Sequence, residues 1–231
     1  MTIYTKIKNR LIQKICRNGR LSFAQSGEDM ILAAIFCNEK KGFYIDVGAN
    51  NPFIQSNTYY FYRNGWNGIN IDALPESMKA FRRYRKRDIN IECAINDTED
   101  TLDYYLFSPS FYNTLSNENI DEIKKIADFI GVKKVKTYKL SDILDKYKIS
   151  SIEFMSVDVE GFDLNVLKSN NWNKYRPKII ITESHAKNLD ALETNVIHKF
   201  LVLNGYNFLC NTTTNIIYIE KSYLLTRYNK T

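Results

Sequence analysis

Short apolar runs alternate with amphipathic segments along most of this chain of 231 residues. The runs have the length and composition of strands, and the segments between them repeat their apolar positions at helical spacing. The predicted strands are Phe43–Val47, Gly68–Asp72, Ile89–Ala94, Ile152–Val157, Lys178–Thr182, Tyr206–Cys210 and Asn215–Glu220. The predicted helices are Thr58–Arg63, Glu76–Arg85, Asp121–Ile130, Ser141–Tyr147, Leu164–Ser169 and Ala191–Asn204. This alternation predicts an α/β fold with a mostly parallel seven-stranded sheet and helices on both faces.

Two segments depart from the regular alternation. The last two predicted strands are separated only by Asn211–Thr214, so they should form a hairpin and give the sheet one antiparallel edge strand. The segment Leu102–Leu115 is rich in Tyr and Phe and predicts an inserted hairpin or loop. Such insertions often shape substrate pockets.

The N-terminal residues predict a basic amphipathic helix over 1–21, followed by a single domain over 22–231. Ile3, Ile7, Leu11 and Ile15 recur at helical spacing among Lys and Arg, and Gly19 provides a stop signal. This helix could lie on a membrane surface or pair with another subunit, which would make the protein a homo-oligomer. Capping of the core is the favoured role.

A second helix is predicted immediately after this segment. Ser26 and Asp29 have the spacing of a capping box, and the apolar residues that follow Asp29 continue the helix. The longest apolar run, Met30–Cys37, is far shorter than the roughly 18 residues of a membrane span. The N-terminus also lacks the pattern of a secretion signal, so we expect a cytoplasmic protein without a transmembrane segment.

Composition and charge narrow the picture further. Hydrophobic residues make up 44% of the chain and charged residues 25%, as in ordinary globular proteins. The four cysteines form no zinc-binding pattern. The net charge is +6, and much of the excess lies in the first twenty residues and in Arg82–Arg87, which we interpret as a solvated helix face. No nucleic-acid-binding motif accompanies the charge, so we expect no nucleic-acid partner.

The strongest local feature is the end of the first predicted strand. The strand runs into Asp46, and Gly48 and Asn50 follow in the turn. Ligands of open α/β sheets bind outside the carboxyl ends of the strands, and a glycine there lets the backbone approach the ligand. Asp46 is therefore predicted to anchor the amino-acid end of a cofactor.

The next two strands supply the remaining cofactor candidates. Asp72 ends the second strand at the position expected of a carboxylate that binds a ribose diol. Ala94, Ile95 and Asp97 follow the third strand, where Asp97 could accept a hydrogen bond from an adenine amino group. The glycine pattern that seats a pyrophosphate is missing after Gly48, which favours S-adenosylmethionine over NAD or FAD.

A second set of ionisable residues follows two later strands. Asp158 and Glu160 come after one strand, and Glu183 and His185 end the next. A hydroxyl acceptor needs a base or a metal to lose its proton, so we expect Asp158, Glu183 or His185 to be the base and Glu160 to position a partner. A divalent ion such as Mg²⁺ held by Asp158, Glu160 and Glu183 is the alternative.

Taken in order, these motifs resemble the FkbM family of methyltransferases. The matching stretches are Ile45–Asn50, Gly65–Asp72, Val157–Asp163 with Val166–Lys168, and Gln25–Asp29 ahead of them. The resemblance covers about residues 22–220. It implies a Rossmann-like class I methyltransferase fold, S-adenosylmethionine as the methyl donor and O-methylation.

The expected acceptor is a hydroxyl of a sugar or glycan precursor, or of a related small natural product. RNA methylation is an alternative that only the basic charge supports. A nucleotide-dependent oxidoreductase of similar fold is another, and it predicts NADH binding where we predict S-adenosylmethionine.

Overall fold

The computed structural model describes residues 19–118, 120–184, 186 and 188–228. The strands are β1 (Phe43–Val47), β2 (Asn67–Asp72), β3 (Ile89–Glu92), β4 (Ala94–Ile95), β5 (Thr101–Ser108), β6 (Asp128–Tyr138), β7 (Phe154–Val157), β8 (Ile179–Glu183), β9 (Tyr206–Asn211) and β10 (Asn215–Glu220). The helices are α1 (Glu28–Ile35), α2 (Tyr59–Arg63), α3 (Met78–Tyr84), α4 (Ile120–Ile123), α5 (Leu140–Lys146), α6 (Asp163–Lys168), α7 (Leu189–Thr194), α8 (Val196–Leu203) and α9 (Lys221–Tyr228).

Seven strands form the main sheet in the order β3-β2-β1-β7-β8-β10-β9. The first five of these pair in parallel, whereas β10 pairs antiparallel with both β8 and β9. The antiparallel strand therefore belongs to the hairpin at one edge of a mostly parallel sheet. This is the class I methyltransferase arrangement, and it confirms the predicted fold.

Helices cover both faces of the main sheet because successive strand residues point to opposite faces. Ile45 and Val47 of β1 pack in one buried cluster with residues of α5, α6 and α8. Tyr44 packs in a second cluster with Leu32 of α1 and Phe61 of α2. The domain thus has two apolar layers, one on either side of β1.

The predicted helix over Asp121–Ile130 is wrong. Only Ile120–Ile123 is helical, and β6 begins at Asp128. This strand pairs antiparallel with β5, and its end pairs with β4 to complete a small sheet of order β4-β6-β5. The apolar spacing near residue 126 fits a helix locally, but pairing with the distant β5 decides the structure.

Other predicted elements differ in their details. The third strand divides at Cys93, since Ile89–Glu92 joins the main sheet and Ala94–Ile95 joins the small one. The helix over Ala191–Asn204 is interrupted at Asn195, whose side chain accepts from two backbone N–H groups of α8. Asn195 is therefore an N-cap for a second helix.

The predicted capping box before α1 is also wrong. Gly27 is the N-cap residue, and no side chain caps the helix there. The Asp29 carboxylate instead accepts from the Ser22 hydroxyl at 2.6 Å and the Phe23 N–H at 2.7 Å. Asp29 thus links the preceding segment to the helix.

The predicted helix over residues 1–21 lies almost wholly outside the described residues and stays a prediction, as does the domain boundary.

Arg85 contradicts the interpretation of the basic run as a solvated face. Arg82 and Arg83 are exposed, but Arg85 is fully buried and pairs with Asp88, with its Nε 2.9 Å from the Asp88 Oδ2. A buried charge is tolerated only with such partners. Asp88, three residues further along the chain, balances the buried charge of Arg85, and its spacing from Arg85 was visible in the sequence.

Candidate functional site

The carboxyl ends of β1, β2, β7 and β8 surround a cavity of about 940 Å³. Parallel register brings them together, since Val47 is paired with Ile71 on one side and with Val157 on the other. The predicted cofactor residues that line the cavity are Asp46, Gly48, Asn50, Asp72, Ala94 and Ile95. The predicted catalytic residues that line it are Asp158, Glu160 and Glu183.

Two predicted site residues are not placed at the cavity. Asp97 is half-buried and is not among the lining residues, so its role toward adenine stays a prediction. His185 falls outside the described residues. Cys93 does line the cavity but was not a candidate, because a lone cysteine between two strands gives no signal of ligand binding.

Gly48 is required by the protein backbone itself. Its φ is +84°, and a Cβ at this position would lie 1.7 Å from the carbonyl oxygen of Asp158. The turn after β1 therefore packs directly on the residue that follows β7. Close approach of a ligand was the predicted reason for this glycine, whereas the structure shows that the Asp158 carbonyl group occupies the space.

The Asp72 carboxylate is fixed by backbone donors. The Asn50 N–H donates to its Oδ2 at 2.7 Å, and the Leu74 N–H donates to its Oδ1 at 2.7 Å. Asn50 reaches this position with a left-handed φ of +47°, a conformation that asparagine tolerates better than most residues. Burial raises the pKa of Asp72, and the two backbone hydrogen bonds oppose that shift.

Asp46 receives a hydrogen bond from a neighbouring helix N-terminus. The Thr58 hydroxyl donates to the Asp46 Oδ2 at 2.8 Å. Burial raises the pKa of Asp46 to about 6, while the Thr58 hydrogen bond and the charge of Arg85 oppose the increase. Asp46 therefore changes its charge close to neutral pH.

Asp158, Glu160 and Glu183 form a carboxylate cluster. One oxygen of each lies within 4.8 Å of the others. Burial, followed by the charge of Glu183, raises the pKa of Asp158 to about 7 and that of Glu160 to about 8. Glu160 has a left-handed φ of +52°, so its backbone adopts an unfavourable conformation at the cavity wall.

Asp163 adds a fourth carboxyl to this region. It is the first residue of α6, is only 3% exposed and lines the same cavity, and its Oδ1 has no hydrogen-bond partner. Burial, with the charges of Asp158 and Glu183, raises its pKa well above the ordinary range. The sequence indicated only a role in the first helical turn, which gave no reason to expect an orphaned oxygen.

No Lys or Arg lines the cavity within residues 19–228, positions 119, 185 and 187 excepted. Six acidic residues do so: Asp46, Asp72, Asp158, Glu160, Asp163 and Glu183. Acidic side chains attract cations and repel phosphates when they are ionised. The cavity therefore suits a positively charged ligand.

The small sheet and its connecting segment cover the cavity. Tyr104 of β5 lines it together with all of Ser110–Ser116. The cover is tied to the carboxylate cluster, because the Thr114 hydroxyl donates to the Glu160 carbonyl at 2.8 Å. The predicted insertion at Leu102–Leu115 thus contributes to the pocket wall.

Residues 46–208 match the family model of the methyltransferase FkbM domain. The chain belongs to this family. Membership confirms the resemblance carried by the sequence motifs and makes this FkbM-family protein a methyltransferase that depends on S-adenosylmethionine. No curated protein matches the sequence.

Solved structures that resemble this FkbM-family chain are distant from it in sequence. A methyltransferase from Geobacter sulfurreducens has 9% identity and a TM-score of 0.45, covering 95% of this chain and 91% of its own. The O-methyltransferase from Bacillus cereus in complex with SAH has 9% identity and a TM-score of 0.44, covering 96% and 92%. Precorrin-6y C5,15-methyltransferase from Geobacter metallireducens has 10% identity and a TM-score of 0.43, covering 83% of this chain and 87% of its own.

Within the described residues, no helix has the length and apolar character needed to cross a bilayer.

Proposed function

We propose that this protein transfers the methyl group of S-adenosylmethionine to a hydroxyl of a sugar, a glycan precursor or a related small natural product. The observation that carries the proposal is the acid-rich cavity, which has no Lys or Arg among its described lining residues. S-Adenosylmethionine presents two cations, a sulfonium and an ammonium, and such a lining attracts both. The phosphates of NADH or RNA would meet repulsion there, which disfavours both alternative functions.

The lining residues divide into a donor side and an acceptor side. On the donor side we assign the cofactor's ammonium to Asp46 and its ribose diol to Asp72. Hydroxyls donate well to the remaining lone pairs of a carboxylate whose position is already fixed. Ala94 and Ile95 of β4 also line the cavity, and we assign to them the apolar surface for the adenine.

The acceptor side consists of the carboxylate cluster and the cover formed by Ser110–Ser116. Carboxylate, amide and hydroxyl groups from these residues can satisfy the many hydroxyls of a sugar, and Phe111 and Tyr112 offer aromatic surface. The cavity volume is near the upper end of the roughly 300–1,000 Å³ range of ligand pockets, so a cofactor and a small acceptor fit together.

We assign proton abstraction from the acceptor hydroxyl to Asp158. With its pKa raised to about 7, this carboxyl is a stronger base than an ordinary aspartate and still loses its own proton near neutrality. Glu160 and Glu183 would orient the hydroxyl beside it. Methyl transfer itself requires only alignment of the acceptor oxygen, the methyl carbon and the sulfur.

A divalent cation such as Mg²⁺ also fits the cluster. Asp158, Glu160 and Glu183 supply oxygen ligands within a small volume, and the unpartnered Oδ1 of Asp163 lies buried at the same cavity. The cation would lower the pKa of the acceptor hydroxyl. Chelator treatment separates the two mechanisms, because turnover that survives chelation excludes the cation from the reaction.

The first experiment is a calorimetric titration with S-adenosylhomocysteine, with NADH in a parallel titration. Binding of S-adenosylhomocysteine alone is the expected result, and binding of NADH alone would refute the proposal. Transfer of labelled methyl groups to glycosides, with a matched RNA sample, then tests the acceptor class. A cytoplasmic location and a homo-oligomeric state remain predictions.

A further inference from the structure

A network of buried polar groups lies behind the donor side of the cavity, with Arg85 at its centre. The Arg85 side chain is fully buried, and its Nε and Nη2 donate to Asp88 at 2.9 Å and to the Tyr44 hydroxyl at 2.8 Å. Asp88 also accepts from the Tyr44 hydroxyl and from the Asn70 side chain, both within 3.0 Å. The guanidinium charge is thus balanced within the protein.

The same guanidinium reaches toward the cavity through one intermediate group. The Arg85 Nη2 donates to the Thr58 hydroxyl at 3.0 Å, and that hydroxyl donates to the Asp46 Oδ2 at 2.8 Å. Arginine can only donate, so the Thr58 oxygen must accept from it and is left with its own proton for another acceptor. The Ser56 hydroxyl lies 3.2 Å from the Thr58 hydroxyl, but the shorter contact with the Asp46 carboxylate favours the direction from Arg85 to Thr58 to Asp46.

This arrangement affects which form of Asp46 the protein favours. A donated hydrogen bond and a nearby positive charge both stabilise a carboxylate over the neutral acid. They also hold one oxygen of Asp46 in place, at a residue that lines the cavity. Charged and oriented, Asp46 has the properties that binding of an ammonium group requires.

We propose that Arg85 is a positioning residue that acts through the Thr58 hydroxyl to hold Asp46 charged and oriented for the ammonium group of the cofactor. The inference rests on the proposed role of Asp46 in cofactor binding. It extends the donor site to a residue that touches neither cofactor nor acceptor.

The test uses Thr58→Val, which removes the hydroxyl with little change in volume, and Thr58→Ser, which retains the hydroxyl and loses only the methyl group. Two ligands are compared: S-adenosylhomocysteine, and 5′-methylthioadenosine, which lacks the ammonium and the carboxylate. We expect Thr58→Val to weaken S-adenosylhomocysteine binding at least roughly tenfold, the effect of losing one hydrogen bond to a charged group. Binding of 5′-methylthioadenosine should change less than about twofold, and Thr58→Ser should bind both ligands like the wild type.

Tyr44→Phe is the matched control. It removes the other hydroxyl that accepts from the Arg85 Nη2 and leaves the Arg85–Thr58 and Thr58–Asp46 hydrogen bonds in place. It should lower the melting temperature while leaving the affinity ratio of the two ligands unchanged. Arg85→Lys, which keeps the charge but loses the planar fork, should shift that ratio in the same direction as Thr58→Val.

A double-mutant cycle makes the test independent of overall stability. If Thr58 acts through Asp46, Thr58→Val should have little further effect on S-adenosylhomocysteine binding in an Asp46→Asn background. Equal weakening of both ligands by Thr58→Val, or additive effects of the two substitutions, would overturn the inference. Failure of the wild type to bind S-adenosylhomocysteine would instead refute the proposed function.

Discussion

Replacement of Gly48 by alanine tests the contact between the turn after β1 and the residue after β7. Two costs combine at this position. The φ of +84° is unfavourable for a residue with a Cβ by roughly 1–2 kcal/mol. The Cβ would also lie 1.7 Å from the Asp158 carbonyl oxygen, and overpacking of a close-packed region costs roughly a further 1–3 kcal/mol.

Gly27→Ala is a control with the same backbone angle. Gly27 also has a φ of +84°, but a Cβ there would meet no atom within 4 Å. Only the conformational cost then applies. For a chain of this size, melting temperatures should fall by roughly 2–8 °C for Gly27→Ala and roughly 4–20 °C for Gly48→Ala.

The two variants should also differ in activity. Gly48→Ala displaces the Asp158 carbonyl, so methyl transfer should fall at least about 100-fold in the folded protein, as expected when a catalytic group is misplaced by about 1 Å. Gly27→Ala should retain turnover. Differential scanning calorimetry and a methyl-transfer assay measure the two effects. Equal losses of stability in both variants would refute the steric argument.

Four further results are expected. Asp158→Asn should abolish turnover and leave the Kd for S-adenosylhomocysteine within about threefold; retained turnover would remove Asp158 from the mechanism. Asp72→Asn should weaken the binding of S-adenosylhomocysteine roughly 10- to 100-fold. The amide cannot accept from both the Asn50 and the Leu74 N–H groups, so one of these donors is left unpaired. An unchanged Kd in titration would contradict this reasoning. Binding of S-adenosylhomocysteine should strengthen as the pH rises through about 6, where Asp46 becomes charged. Because burial raises the folded-state pKa of Asp46, loss of its proton as the pH rises through about 6 destabilises the folded protein. Asp46→Asn should therefore melt at a higher temperature than the wild type above pH 6, and should show no such advantage below pH 4.

Local sequence pattern predicted strands of the main sheet, whose carboxyl edge borders the cavity. Phe43–Val47 and Asn215–Glu220 have the predicted boundaries, since apolar runs there end at polar or turn residues. The carboxylates at the carboxyl ends of β1, β2, β7 and β8 were also predictable, because their place near strand ends depends on chain order alone. Their convergence then follows from parallel pairing.

Long-range contacts explain what the sequence could not show. Residues 132–136 show no apolar–polar alternation, because Val132 and Val135 are three positions apart, and the partner strand β5 lies about thirty residues earlier in the chain. The sequence predicted that Arg85 is solvent-exposed on a basic helix, whereas in the fold its side chain donates hydrogen bonds to Tyr44 and Thr58. A charge run gives no information about which member is buried.

The small sheet keeps the proposed acceptor contacts structurally apart from the proposed methyl-donor site. Most of its strand pairing lies between β5 and β6, and its connections to the rest of the domain include the two-residue strand β4 and the hydrogen bond from Thr114 to Glu160. On the proposed assignment of the acceptor to this cover, residues that contact it can diverge within residues 101–138 while the proposed donor side keeps its geometry. Exchange of residues 101–138 between relatives would be a practical route to new acceptor specificity on an unchanged methyl-donor site.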